Sequence, residues 1–98
     1  KVPDIIRELH EYGVQVLVHD PIAEEDEALA EYGIHLVEWD QLKDLDGLIV
    51  AVAHKRFSDL NLQNLLRPLR SQNQGVLIDV KSIFDPVQIP SSLKYWRL

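Results

Sequence analysis

An α/β fold built around a parallel sheet is predicted by three observations. Short, nearly uniform apolar runs recur along the chain: VQVLV at 14–18, LIVAVA at 48–53 and VLIDV at 76–80. Their β-branched content and continuous hydrophobicity are those of strands covered on both faces. Between them lie segments with apolar residues at helical spacing, and the breaks fall at Gly or Pro. Strand and helix alternating in this way give a parallel sheet with right-handed crossovers.

The elements follow in order. Pro3 and Asp4 suit the first turn of a helix, because Pro lacks only an N–H that is unpaired there and Asp favours the positive end of the helix dipole. Ile5, Ile6 and Leu9 form its apolar stripe, and Gly13 ends it. The 14–18 strand follows and stops at Asp20-Pro21. A second helix is expected over 23–32, acidic at its start through Glu24, Glu25 and Asp26 and closed by Gly33. Residues 34–37 read as a short strand, and Asp40 is placed to cap a brief helix reaching Leu45. LIVAVA, the most apolar segment, is the candidate central strand. A helix over 61–69 turns Leu62, Leu65, Leu66 and Leu69 inward, with Pro68 limiting its regularity. VLIDV is the next buried strand, and Tyr95-Trp96 docks as a terminal strand or turn. The chain opens on a helix where a βαβ unit would supply a strand, so the expected architecture is a three-layer, Rossmann-like parallel sheet lacking its first strand. Together with the absence of Met, this points to a fragment of a larger protein.

Size and composition bound the function. Ninety-eight residues suit one domain spanning 1–98. Sixteen acids against ten Lys and Arg, a net charge of -6, exclude a broad phosphate-backbone surface and with it nucleic acid as a partner. A single local cluster of donors can still hold a small anion. No run approaches the roughly 20 apolar residues of a membrane span, and no signal peptide opens the chain, so the cytoplasm is the default location. Cysteine is absent, which removes disulfides, thiolate metal sites and cysteine nucleophiles.

Ligands of open parallel sheets bind outside the carboxyl ends of the strands. Here those ends carry His19-Asp20-Pro21, His54-Lys55-Arg56-Phe57 and Asp79-Val80-Lys81-Ser82. Lys81 is the first candidate for binding: a lysine just past a central strand meets a phosphate or sugar oxygen as a point charge. The alternative is a solvated lysine, paired with Asp79. His54 is the second candidate, as a hydrogen-bonding group or general base; the alternative is a histidine satisfied by backbone at a strand end. Asp20 stands where a Rossmann dinucleotide site has its ribose-binding acid, but the G-x-G-x-x-G loop of such a site would precede Lys1, the four glycines at 13, 33, 47 and 75 all stand at element breaks, and an Asp-Pro turn explains Asp20. His10, His19 and His35 lack metal-ligand spacing. Trp39, Tyr95 and Trp96 read as packing residues.

Several segments in this order carry a further signal: KVPDIIRELHEYGVQVLVHDP (1–21), EYGIHLV (31–37), DGLIVAVAHKRF (46–57), GVLIDVKSIFD (75–85) and YWRL (95–98). Together they resemble the C-terminal, UDP-sugar-binding domain of the UDP-glucose/GDP-mannose dehydrogenase family, in the branch acting on UDP-N-acetylhexosamines. The most specific part is AVAH with a following Phe, then D-V-K, then the terminal YWRL. The resemblance implies a division of labour. An N-terminal domain holds NAD outside this chain, and a central helical region carries the catalytic cysteine and forms the dimer. The present domain closes over the UDP portion of the substrate. The sugar C6 alcohol is oxidised to the uronate in two hydride transfers through a thiohemiacetal on that cysteine, supplying polysaccharide precursors. Such a chain would be inactive alone, and its partners would be the UDP-sugar and the remaining dehydrogenase domains. Lys81 falls where the family has a basic residue after D-x, often Arg, directed at the nucleotide sugar; His54 matches the pattern without a catalytic role. The family's Phe-Lys pair, in the loop after the first strand, has no counterpart here. Two other readings stay open from the residues alone: a non-catalytic dinucleotide-binding module, and a dimerisation piece whose open sheet edge pairs with another copy.

Overall fold

In the computed structural model, which describes residues 2–58, 61–71 and 74–97, the first helix α1 (Val2–Glu11) runs as expected and gives way to Gly13 at φ 79°, in the left-handed region glycine tolerates. Helix α2 (Glu25–Tyr32) ends the same way. Gly33 adopts φ 68°, and the cap backbone N–H bonds return to the carbonyls of Ala28 and Leu29. These belong to the first of two compact units, Lys1–Leu42, the second being Lys43–Leu98.

Two expectations for the first unit are corrected. Residues 14–18 do not form a strand covered on both faces: Val14 is 44% and Leu17 40% exposed. Residues 34–37 are no regular strand either. The two segments meet in a single parallel bridge, Val18 with Leu36, in which the Val37 N–H donates to the Val18 carbonyl at 2.8 Å. A strand exists through its ladder, and one bridge is too little to make one. The short helix also differs. It is a 3-10 turn, Trp39–Gln41, which stops before Leu45. Glu38 stands at its N-cap where Asp40 was expected, its N–H bonded to the Gln41 side chain at 2.7 Å.

The second unit holds a three-stranded parallel sheet in the order β1 (Gly47–Val50), β2 (Val76–Asp79), β3 (Lys94–Arg97). The α/β class and the parallel sense are thus as the sequence predicted. The central position is not: VLIDV supplies the middle strand and LIVAVA an edge, with only Val50 of β1 buried. LIVAVA leaves the sheet after Val50, and Val52 lies 41% exposed. YWRL forms most of β3 up to Arg97, its closing Leu98 lying outside the described residues.

Between β1 and β2 come α3 (Lys55–Ser58) and α4 (Leu62–Leu66). The latter is shorter than 61–69. Asn61 caps it by accepting from the Gln63 N–H at 2.7 Å, and it ends at Arg67, which keeps helical backbone angles (φ -55°, ψ -35°) and returns its N–H to the Asn64 carbonyl just before Pro68. Leu65, Leu66, Leu69 and Pro68 are buried nonetheless, with Val50, Phe57, Leu77 and Leu93. The entry to β2 is tight. A Cβ on Gly75 would stand 2.7 Å from the Ser71 carbonyl oxygen and 3.1 Å from a Leu69 methyl, so any side chain there forces its surroundings to shift.

Candidate functional site

The three strands finish level with one another. Val50 pairs with Asp79 and Asp79 with Arg97, so the segments after β1 and β2 leave the sheet at one carboxyl edge. That edge is where open parallel sheets bind their ligands. The structure therefore brings the two sequence candidates, His54 and Lys81, to loops on the same side of the sheet. The loops begin joined, the Val80 N–H donating to the Val50 carbonyl at 3.0 Å.

Lys81 lies just beyond β2 with its side chain exposed. Its ammonium is not paired with Asp79, as one reading of the sequence had it. The Asp79 carboxylate is fully buried and committed to other donors. One oxygen accepts from the Ile83 N–H at 3.0 Å; the other accepts from the Phe84 N–H at 3.0 Å and from the Tyr95 hydroxyl at 2.9 Å. A buried carboxylate without such donors would be costly by several kcal/mol, roughly the range for an unpaired charge. Here it is satisfied, and it fixes the backbone on the far side of Lys81. Within that loop Ser82 takes φ 55°, a left-handed conformation that costs a residue with a Cβ about 1–2 kcal/mol. The loop is thus held in a shape it would not choose in isolation.

Tyr95 reports the same environment. Burial pushes its phenol above the ordinary tyrosine value of 10.0, and the hydrogen bond to Asp79 and the negative charge of that residue push the same way. The phenol stays protonated and stays a donor. Arg97, opposite Asp79 in the register, is exposed and opposes that shift, so a second cation stands at this edge. Reading residues one by one missed Asp79, Tyr95 and Arg97. The available signal was a lone acid in an otherwise apolar strand run, since such a group must find donors when it is buried.

His54 is half-buried between β1 and α3. Phe57 meets its ring edge-on at 5.8 Å and donates its N–H to the His54 carbonyl at 2.9 Å. Lys55 is exposed, and the Arg56 side chain lies outside what the structure describes. In the first unit, His19 is held through Nδ1 to the Val37 carbonyl at 2.9 Å and edge-on to Trp39 at 5.6 Å, a packing role. Asp20 accepts from the N–H groups of Ile22 and Ala23, at 2.9 and 3.1 Å. This is the turn expected from Asp-Pro. Among the described residues no group of three His, Cys, Asp or Glu is placed to hold a metal ion, and no helix is long and apolar enough to cross a membrane.

The glycines present are placed as element breaks. Of the four glycines, Gly13 and Gly33 end helices, while Gly47 and Gly75 begin or precede strands. None opens a helix after a strand, where closely spaced N–H groups would cradle a pyrophosphate.

Comparison with known proteins gives the chain its family. Residues 1–86 match the model of the UDP-glucose/GDP-mannose dehydrogenase family, UDP binding domain. The chain belongs to that family. It is 40% identical over 85 residues, 87% of its length, to the UDP-N-acetyl-D-glucosamine 6-dehydrogenase of Pseudomonas aeruginosa, and covers 20% of that protein. It is 34% identical over all 98 residues to Protein CapL of Staphylococcus aureus, covering 22% of it. A Salmonella typhi UDP-N-acetyl-D-glucosamine 6-dehydrogenase is 28% identical over 88 residues. The chain thus spans about a fifth of the length of the curated relatives it matches. No solved structure matches it.

Proposed function

We propose that the chain, taken whole as one domain, is the UDP-sugar-binding part of an NAD-dependent UDP-N-acetylhexosamine 6-dehydrogenase, and that Lys81 meets the diphosphate or sugar oxygens of the substrate. The observation that carries this is an exposed lysine on a preshaped loop at the carboxyl edge of a parallel sheet, in a member of this family. The names of the relatives support the N-acetylhexosamine branch. Oxidation at C6 and NAD binding belong to other parts of such an enzyme, since this chain contains neither a cysteine nor a dinucleotide cradle. Its own contribution is to hold the nucleotide while chemistry proceeds elsewhere. The lysine supplies a point charge to the anion, and His54, on the neighbouring loop, offers a further hydrogen-bonding group to the ligand.

Titration of UDP into the protein by calorimetry tests the reading. Wild type binds, and Lys81→Ala weakens binding by about 1–3 kcal/mol, the range for a charged hydrogen-bond partner. Lys81→Arg retains most of the affinity because the charge survives. A wild-type protein that ignores UDP, or affinity indifferent to Lys81→Ala, refutes it.

A further inference from the structure

The carboxyl edge also holds a carboxylate, that of Asp79, wholly removed from solvent. We propose that Asp79 and Tyr95 form a buried clamp through which the last strand, β3, sets the position of the Lys81 loop, so that Tyr95 is a positioning residue for nucleotide binding. The inference rests on the UDP-binding reading and deepens it.

Three features support the clamp. First, the loop after β2 is tied to groups outside it as well as by its own turn, in which the Ser82 N–H donates to the Asp79 carbonyl at 3.4 Å. The outside ties are Val80 bonded to β1 and Ile83 and Phe84 bonded to the Asp79 carboxylate. Ser82, between those anchors, is held in the left-handed region, so the loop needs its anchors in order to keep its shape. Second, the carboxylate oxygen that receives Phe84 also receives the Tyr95 hydroxyl, from a different strand. Asp79 is described with no ion-pairing cation, so these three donors are what hold its fully buried charge in one orientation. Third, Tyr95 reaches Asp79 across the β2–β3 ladder, where it pairs with Leu77, so the reach of its ring spans the step from Leu77 to Asp79. Removing the hydroxyl alone leaves the ring and the ladder in place and takes away one of the three donors. The carboxylate then gains freedom to turn, and the amides of Ile83 and Phe84 lose a fixed acceptor.

The test uses the full 98-residue chain as wild type, Tyr95→Phe and Asp79→Asn. Amide hydrogen exchange is measured at Ile83 and Phe84, with β1 and β2 amides as internal controls, and UDP affinity is measured by calorimetry. In Tyr95→Phe the sheet amides keep their protection, exchange at Ile83 and Phe84 quickens about tenfold, and the UDP dissociation constant rises about three- to tenfold, as expected for loss of one hydrogen bond to a charged group. Asp79→Asn turns an acceptor into a donor facing two donors and gives the larger effect on both readouts. Should it fail to fold, Tyr95→Phe decides alone. Unchanged exchange at Ile83 and Phe84 in folded Tyr95→Phe overturns the clamp, and so does unchanged UDP affinity with quickened exchange. A wild-type chain that does not bind UDP removes the functional reading instead, and the exchange measurement still judges whether the clamp exists.

Discussion

In residues 43–98, three strands close a parallel ladder, and leucines from α4 and β2 are almost wholly removed from water; in residues 1–42, Leu42 is the one buried side chain among those described. Both regions contain an apolar run of five. VLIDV has a partner on each side and buries Leu77 and Asp79 completely. VQVLV has one bridge, and Val14 and Leu17 stay exposed. Composition is therefore not what separates a strand from an extended segment. What separates them is whether neighbours take up the backbone groups and cover the faces. The first unit is shaped by local devices: glycine caps after α1 and α2, an Asp20 turn, and the Glu38–Gln41 bond. The second is shaped by long-range burial. Mutations should thus act differently in the two.

The sharpest way to break this contrast is truncation of matched apolar residues. Leu77→Ala, in β2, is expected to cost about 2–5 kcal/mol, because the loss of transfer energy is compounded by a cavity. Leu17→Ala, at 40% exposure, should cost less than about 1 kcal/mol. Urea denaturation of both variants decides it, and comparable losses would mean that the first unit has a core of its own. Next in size is Gly75→Ala. Its Cβ would press against the backbone of Ser71, which cannot swing aside as a side-chain tip can, so about 1–3 kcal/mol of stability is lost through overpacking. An added methyl at Gly33 meets nothing within 4 Å, and there the cost is only that of the left-handed backbone, about 1–2 kcal/mol. Thermal melts of the two alanine variants separate crowding from conformational strain.

The same contrast explains how much the sequence disclosed. Class, parallel sense, α1 and the Gly33 cap were legible, because each rests on apolar spacing or φ preference. Strand order was not. LIVAVA is more apolar than VLIDV, yet it lies at the edge, and hydrophobicity alone does not tell an inner strand from one that leaves the sheet after four residues. At the rim, Lys81 was legible from its place after a strand. The partners of Asp79 were not, since Tyr95 is 16 residues away in sequence and meets it only once β2 and β3 pair. An acid in an apolar run announces that donors exist without saying where they come from.

The smallest effect expected is one of pH, and it bears on the half of the molecule where burial rules. Tyr95 has its phenol raised above 10.0, first by burial and then by Asp79. The folded chain therefore holds this proton more tightly than the unfolded chain does, and unfolding across that window releases it. Stability from this source is complete below 10.0 and drains away as pH rises through the raised value, because the slope of unfolding free energy with pH takes the sign of unfolded minus folded proton uptake. Urea midpoints measured at about pH 9 and about pH 11 should fall further for wild type than for Tyr95→Phe, which has no such proton to lose. If Tyr95→Phe declined as steeply as wild type, the alkaline weakness would lie elsewhere, and the Asp79–Tyr95 pair would not be its source.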